Sequence, residues 1–221
     1  MNKTAIVLGA TGFTGGILLE KLLADTSYEK IKLFSRSSVT NTSDKIEEHL
    51  VDVLKLEDYK DAFMADEVYC CIGTTASKTK DREVYRSIDY GIPVAAAKLA
   101  KQNNITTFIV MSSMGAAVSS TVFYSRTKGE MERDILNQNI KNTVILRPSL
   151  IGGRRPEFRV GEKISIGVMS IISPLLIGSL KKYRIIHPEK IATCMKILAH
   201  KHQDRKILSS DEISTIAKSK E

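Results

Sequence analysis

The sequence predicts an α/β chain whose parallel sheet is covered by helices on both faces. Three observations carry that reading. Short apolar runs rich in Val and Ile recur at Thr4–Leu8, Ile31–Phe34, Glu48–Val51, Val68–Ile72, Thr107–Met111 and Thr143–Leu146. Runs of this length and content suit strands buried on both faces. Segments with helical spacing of apolar residues, Phe13–Ala24, Arg82–Lys101 and Phe123–Asn137, lie between them. Strand, helix and strand in alternation require right-handed crossovers, and hence parallel pairing. Finally, the first apolar run passes straight into glycines and then into a helix.

The chain has 221 residues, which suits one domain better than two. Residues 1–150 are expected to form the sheet core, and residues 151–221 a small C-terminal substrate-binding cap on the sheet edge. In the latter, His187-Pro188-Glu189 opens a further helix, with proline in its first turn. Hydrophobic residues make up 43% and charged residues 26%, as in ordinary globular chains, so no staple is needed to hold the core. The three cysteines, Cys70, Cys71 and Cys194, have neither disulfide nor zinc spacing, and point to a reducing cytoplasm. No metal is expected.

The N-terminal apolar run is too short for a signal peptide. The stretch Ile164–Leu180 has no charged residue but is broken by Gly167, Pro174 and Gly178. It falls short of the ~20 apolar residues of a membrane span. An apolar wall or lid, membrane-surface contact and a plain packed helix all stay open for it. The net charge of +8 favours anionic partners. The basic residues are dispersed, however, with no basic helix, finger or aromatic RNA-binding signature, so no nucleic acid is expected. A phosphate-rich small molecule accounts for part of the excess. Monomer and homodimer both stay open.

The turn Gly9-Ala10-Thr11-Gly12-Phe13-Thr14-Gly15 is the strongest local signal. Gly9 permits a tight turn, Gly12 a close backbone approach to a pyrophosphate, and Gly15 helix-on-strand packing. The helix behind it offers free N–H groups and a partial positive charge. This context defines a doubly wound Rossmann fold that binds a dinucleotide. Where NAD-binding chains of this class place Asp or Glu, about 20 residues on, this sequence reads Ser35-Arg36-Ser37, and no carboxylate occurs between Ile31 and Thr40. Arg36 can pair with a 2′-phosphate, so NADP(H) is preferred, with NAD also admitted. Asp52, after the third strand, reads equally as an acceptor for the adenine amino group or as a turn residue.

Tyr124 and Lys128 lie four apart, on one face of the helix that follows the fifth strand. A lysine beside a tyrosine favours the phenolate, which suits proton exchange with a carbonyl oxygen. Tyr28 and Lys32 repeat the spacing but lie where strands begin. Ligands in open α/β sheets bind where strands end. Ser112-Ser113 close the fifth strand there.

These residues resemble the short-chain dehydrogenase/reductase superfamily in its extended or atypical branch. The likeness rests on the glycine turn, Cys71-Ile72-Gly73-Thr74-Thr75, Met111-Ser112-Ser113-Met114-Gly115-Ala116, Tyr124 with Lys128-Gly129-Glu130, and Leu146-Arg147-Pro148. Within that branch it points to the Tat-interactive oxidoreductase-like group and its small bacterial relatives. The resemblance implies hydride transfer on a carbonyl, hydroxyl or nucleotide-sugar substrate, or epimerase-like chemistry. Tyr124 would be the acid/base, Lys128 its partner on the cofactor ribose, and Ser113 the residue orienting the substrate. Gly73, Thr74, Thr75 and Ser112 would line the cofactor, with Arg147 and Pro148 at its nicotinamide end. The relay asparagine of the superfamily has no counterpart, and Asp89-Tyr90-Gly91 stands in its region. A second reading is a cofactor-sensing regulatory protein that binds NADP(H) without turnover. After Gly152, Arg154, Arg155 and Arg159 suggest an anionic group on the substrate.

Overall fold

The computed structural model describes residues 2–75, 78–153, 178–201 and 206–219. They form a seven-stranded sheet in the order β3-β2-β1-β4-β5-β6-β7. The strands are β1 Lys3–Leu8, β2 Tyr28–Ser35, β3 Ile46–Leu50, β4 Glu67–Cys70, β5 Thr107–Met111, β6 Asn142–Arg147 and β7 Ile207–Ser209. Every pairing is parallel. The expected doubly wound α/β class is therefore the observed one. Strand order reverses between β1 and β4, which opens a crevice at their carboxyl ends.

The helices are α1 Phe13–Leu23, α2 Arg82–Arg86, α3 Ile92–Gln102, α4 Phe123–Leu136, α5 Pro188–Ala199 and α6 Ser210–Lys218. Alternate residues of each strand feed opposite faces, as the pleat requires. Ala5 and Val7 of β1 join Leu18, Leu22, Ile191, Met195 and Ile213 under α1, α5 and α6. Ile6 and Leu8 join Phe108, Val110, Leu99 and Met131 under α3 and α4. Six of the seven strands approximate the predicted runs. The third begins earlier than its apolar run and buries none of its residues fully, because it is the sheet edge.

β7 has no counterpart among the predicted strands. It is three residues long and takes its place only by pairing with β6. Residues 188–218, read from sequence with the cap, supply this strand and two helices that close one face of the core. Arg154, Arg155, Arg159 and most of Ile164–Leu180 lie outside the described residues. Among the described residues no helix is long and apolar enough to cross a membrane.

The predicted helix Arg82–Lys101 is interrupted by a π turn, Ser87–Gly91. Pro93 explains it. Proline has no N–H to give to the carbonyl of Asp89, four residues back. The Ile92 N–H instead reaches the Ser87 carbonyl, five residues back. The wider turn holds Asp89 wholly inside the protein.

Candidate functional site

Gly9 has a φ of +86°, which side chains rarely adopt, and closes the turn after β1 through Gly12 N–H to its carbonyl at 2.9 Å. A Cβ on Gly15 would lie 2.1 Å from the Gly9 oxygen, so α1 packs against the turn as only glycine permits. A Cβ on Gly12 would meet only that oxygen, at 3.2 Å, and otherwise face open space. Gly12 is the N-cap of α1, with no side-chain cap and no carboxylate in the first turn. A phosphate would supply the missing acceptor and negative charge. Ala10 and Thr14 are buried behind the turn, while Thr11 and Gly12 are exposed and Phe13 is half-buried.

At the end of β2, Arg36 is exposed and without a hydrogen bond or ion pair among the described residues. Ser35 is buried, and its hydroxyl donates to the Ser37 carbonyl at 2.8 Å. A carboxylate does reach this loop, from β3. Glu48 accepts the Val39 N–H at 2.7 Å and the Ser38 hydroxyl. Sequence distance hid it, because only strand pairing brings β3 alongside. Asp52 caps the 3₁₀ turn Val53–Tyr59 by accepting from Leu54 N–H at 3.0 Å.

The loop after β5 is laced to the start of α4. Ala117 N–H donates to the Ser125 carbonyl at 3.0 Å. A Cβ on Gly129 would strike the backbone of Ala117 and Val118 at 2.3 and 2.4 Å. This packing accounts for glycine between Lys128 and Glu130, and it brings the serines and Tyr124 to one edge. Tyr124 is half-buried, with its ring 5.8 Å from that of Tyr85. Lys128 is buried, and its ammonium lies 2.8 Å from Asp89 Oδ1, a charge contact too bent for a hydrogen bond. The other oxygen of Asp89 accepts the Thr74 N–H at 2.7 Å. A Cβ on Gly73 would stand 3.5 Å from Asp89 and 3.9 Å from Lys128, so the backbone of this loop runs directly against the buried pair. Thr75 folds its own loop, accepting from Lys78 N–H through both carbonyl and hydroxyl.

The two serines part company. Ser112 donates to Glu132, which is buried and also clamped by the Arg147 guanidinium, with Nε at 2.9 Å from one oxygen. Arg147 is thereby committed to α4. Pro148 is buried beside it, and its carbonyl accepts Met114 N–H at 3.0 Å. Ser113 Oγ is buried with no hydrogen-bond partner, as are Tyr85 Oη and Asp89 Oδ1. Among the described residues these are the only buried side-chain oxygens or nitrogens so placed, and Asp89 and Tyr85 directly adjoin Lys128 and Tyr124. Buried polar groups are nearly always paired, so such a group of exceptions marks a place that something else completes.

Burial, with the Asp89 charge behind it, pushes the Tyr85 phenol far up, so Tyr85 remains an O–H donor. Burial also pushes the Cys70 thiol up to about 11 and that of Cys194 to about 12, so neither is a nucleophile at neutral pH. Among the described residues no cluster of His, Cys, Asp or Glu could hold a metal. Asp89, Tyr85 and Glu132 were not assigned from sequence. The Asp89-Tyr90-Gly91 segment was the one visible signal, and Tyr85 had none.

Residues 9–163 match a family model described as NAD(P)H-binding. The chain is 31% identical over 175 residues to "Protein FMP52-1, mitochondrial" of Scheffersomyces stipitis, covering 76% of each. It is 32% identical over 165 residues to "Protein HTATIP2" of Rattus norvegicus, covering 73% of this chain and 68% of that one. Among solved structures it is similar to the UDP-glucose 4-epimerase of Thermotoga maritima, with a TM-score of 0.70 at 13% identity, covering 98% of this chain and 82% of the other. At that identity the likeness shows the fold alone. The cytoplasmic expectation is corrected. The yeast relatives are named mitochondrial, including the FMP52 proteins of two Candida species. Free thiols mark a reducing compartment, and that criterion does not separate cytoplasm from mitochondrion.

Proposed function

The chain belongs to the NAD(P)H-binding family, and on that premise we propose that it is an NADP(H)-dependent oxidoreductase acting on a carbonyl or hydroxyl carbon. The observation that carries this is a set of buried polar groups that make no hydrogen bond of ordinary geometry, Ser113 Oγ after β5, Tyr85 Oη, and Asp89 Oδ1, the last in charge contact with Lys128. Buried polar groups of this kind near the ends of the strands suit a substrate oxygen and a ribose.

The residues fit the dinucleotide. The uncapped start of α1 and the open side of Gly12 suit the pyrophosphate, Arg36 the 2′-phosphate, and Gly73 with Thr74 the far half. When bound, the nicotinamide supplies or accepts hydride. Tyr124 is the acid/base that passes a proton to or from the substrate oxygen. Ser113, freed from the packing role that occupies Ser112, hydrogen-bonds the same oxygen. Lys128, four residues on along α4 and paired with Asp89, supplies a fixed positive charge to the site. Arg147 serves through Glu132 as a brace for α4 rather than as a cofactor contact. The substrate-binding role of the C-terminal segments and a nucleotide-sugar substrate remain parts of the proposal. Support for the latter comes from fold neighbours such as the Thermotoga epimerase. The regulatory reading is not favoured by the relatives.

Thermal-shift titration with NAD, NADH, NADP and NADPH tests the cofactor. NADPH should give the largest rise, and Arg36→Ala should weaken NADPH by about tenfold or more while leaving NADH unchanged. A larger shift with NADH would overturn the preference. On a panel of carbonyl compounds, Tyr124→Phe should retain NADPH affinity and lose about 100-fold or more in turnover. Undiminished turnover in that variant would sink the catalytic assignment.

A further inference from the structure

Resting on the dinucleotide reading, we propose that Asp89 is a positioning residue that ties the cofactor-lining Gly73–Thr74 loop to Lys128, so that loop and ammonium meet the dinucleotide as one unit. One carboxylate does both jobs. Oδ2 accepts the Thr74 N–H at 2.7 Å, and Oδ1 faces the Lys128 ammonium at 2.8 Å. Asp89 is 0% exposed and the Lys128 side chain 3%. A charge pair this deep is a poor source of stability, because two apolar residues of similar volume would serve as well or better. Its placement is therefore informative. The π turn at Pro93 sets Asp89 between two elements that reach the crevice separately, the loop after β4 and the middle of α4. The bent contact at Oδ1 leaves the ammonium with directions open toward Gly73, where no side chain intervenes. Tyr85 closes the other side, buried and edge-on to Tyr124. Asp89 touches neither substrate nor cofactor in this arrangement and acts through Thr74 and Lys128.

A double-mutant cycle separates positioning from mere structure. Asp89→Asn keeps an acceptor for Thr74 and removes the charge opposite Lys128. Asp89→Asn, Lys128→Met and their combination are compared with the unaltered chain. The readouts are the NADPH dissociation constant, from cofactor fluorescence, and the melting temperature without cofactor. Asp89→Asn should weaken NADPH about tenfold in the natural background and about twofold or less beside Lys128→Met. The melting temperature should fall in Asp89→Asn and recover in the double variant, where no charge is buried unpaired. Equal losses of affinity in both backgrounds would overturn the link through Lys128. So would a lowered melting temperature with unchanged NADPH affinity, since that is a structural role only. Should Asp89→Asn fail to fold, Lys128→Met and the double variant must still bind NADPH alike. A further loss in the double variant refutes the proposal. Asp89→Ala beside Lys128→Met tests the loop. It should weaken NADPH further, by about three- to tenfold, because the Thr74 N–H loses its acceptor, and no change there removes that half of the claim. If the unaltered chain binds no NADPH, the dinucleotide reading itself falls and takes this proposal with it. Binding with an additive cycle overturns this proposal alone.

Discussion

At the amino edge of the sheet, Tyr28, Glu67, Tyr69, Lys3 and His200 close a polar network. At the carboxyl edge, Tyr85, Asp89, Ser113, Tyr124 and Lys128 use similar chemistry and leave it open. In the first group Glu67 accepts from Tyr28 at 2.7 Å, from Tyr69 at 2.8 Å and from Lys3, while Lys3 and Tyr28 also meet His200. Burial pushes the Tyr28 and Tyr69 phenols up, and the Glu67 charge adds to it, so both stay protonated donors. In the second group Ser113 Oγ and Tyr85 Oη make no hydrogen bond of ordinary geometry, and Asp89 Oδ1 meets Lys128 only through a charge contact. The difference teaches that a Tyr-x-x-x-Lys spacing carries no function of its own. Tyr28 is consumed by structure because β2 starts there, while Tyr124 sits in the first turn of α4, after β5.

The comparison breaks most visibly at the glycine turn. Gly15→Ala should cost about 3 kcal/mol or prevent folding, since its Cβ would sit 2.1 Å from backbone oxygen. Gly12→Ala should cost about 1 kcal/mol or less and yet abolish NADPH binding, because its Cβ enters the approach rather than the packing. Urea denaturation and NADPH titration of the pair check this. At the amino edge, Glu67→Gln should lower stability by about 2 kcal/mol, by disturbing three donors at once, and leave NADPH affinity as it was. A changed affinity would mean that the edges are coupled.

The same substitution at both edges sharpens the contrast. Tyr69→Phe should destabilise by about 1 kcal/mol, because it breaks a satisfied buried network. Tyr85→Phe should cost less than Tyr69→Phe, because the Tyr85 hydroxyl lies beside Asp89 without a hydrogen bond of good geometry. Equal losses in denaturant midpoint would show that the carboxyl edge is as closed as the other.

The smallest effect belongs to pH. Lys196 holds the Asp25 carboxyl well below its ordinary 3.8, joining α5 to the end of α1. A depressed carboxylate stabilises the fold above its unfolded value, and the gain fades as pH falls below about 4. Both side chains are partly exposed, so the contribution is about 0.5 kcal/mol. Asp25→Asn should flatten that part of an acid-stability profile and change nothing at pH 7.

The glycine turn, the alternation of strands and helices, and the place of Tyr124 in a helix after the fifth strand were all legible as local pattern. Asp89 was visible only as a departure. Its burial depends on a π turn that Pro93 induces, and no helical periodicity anticipates an inserted residue. Glu132 looked like one more charge on α4 until strand β6 brought Arg147 to it. β7 is too short to signal itself and exists through its pairing with β6.

The sequence by itself determined the class of fold and the place of the glycine turn between its first strand and first helix. Both follow from short-range sterics and periodicity, which each segment carries within itself. Tertiary structure alone decided which polar residues are committed and which are free. Ser112 is held by Glu132 while Ser113 is not, and Asp89 rather than an asparagine faces Lys128. Hydrogen-bond satisfaction depends on what the fold brings within 3 Å, and these partners lie 15 to 39 residues apart along the chain.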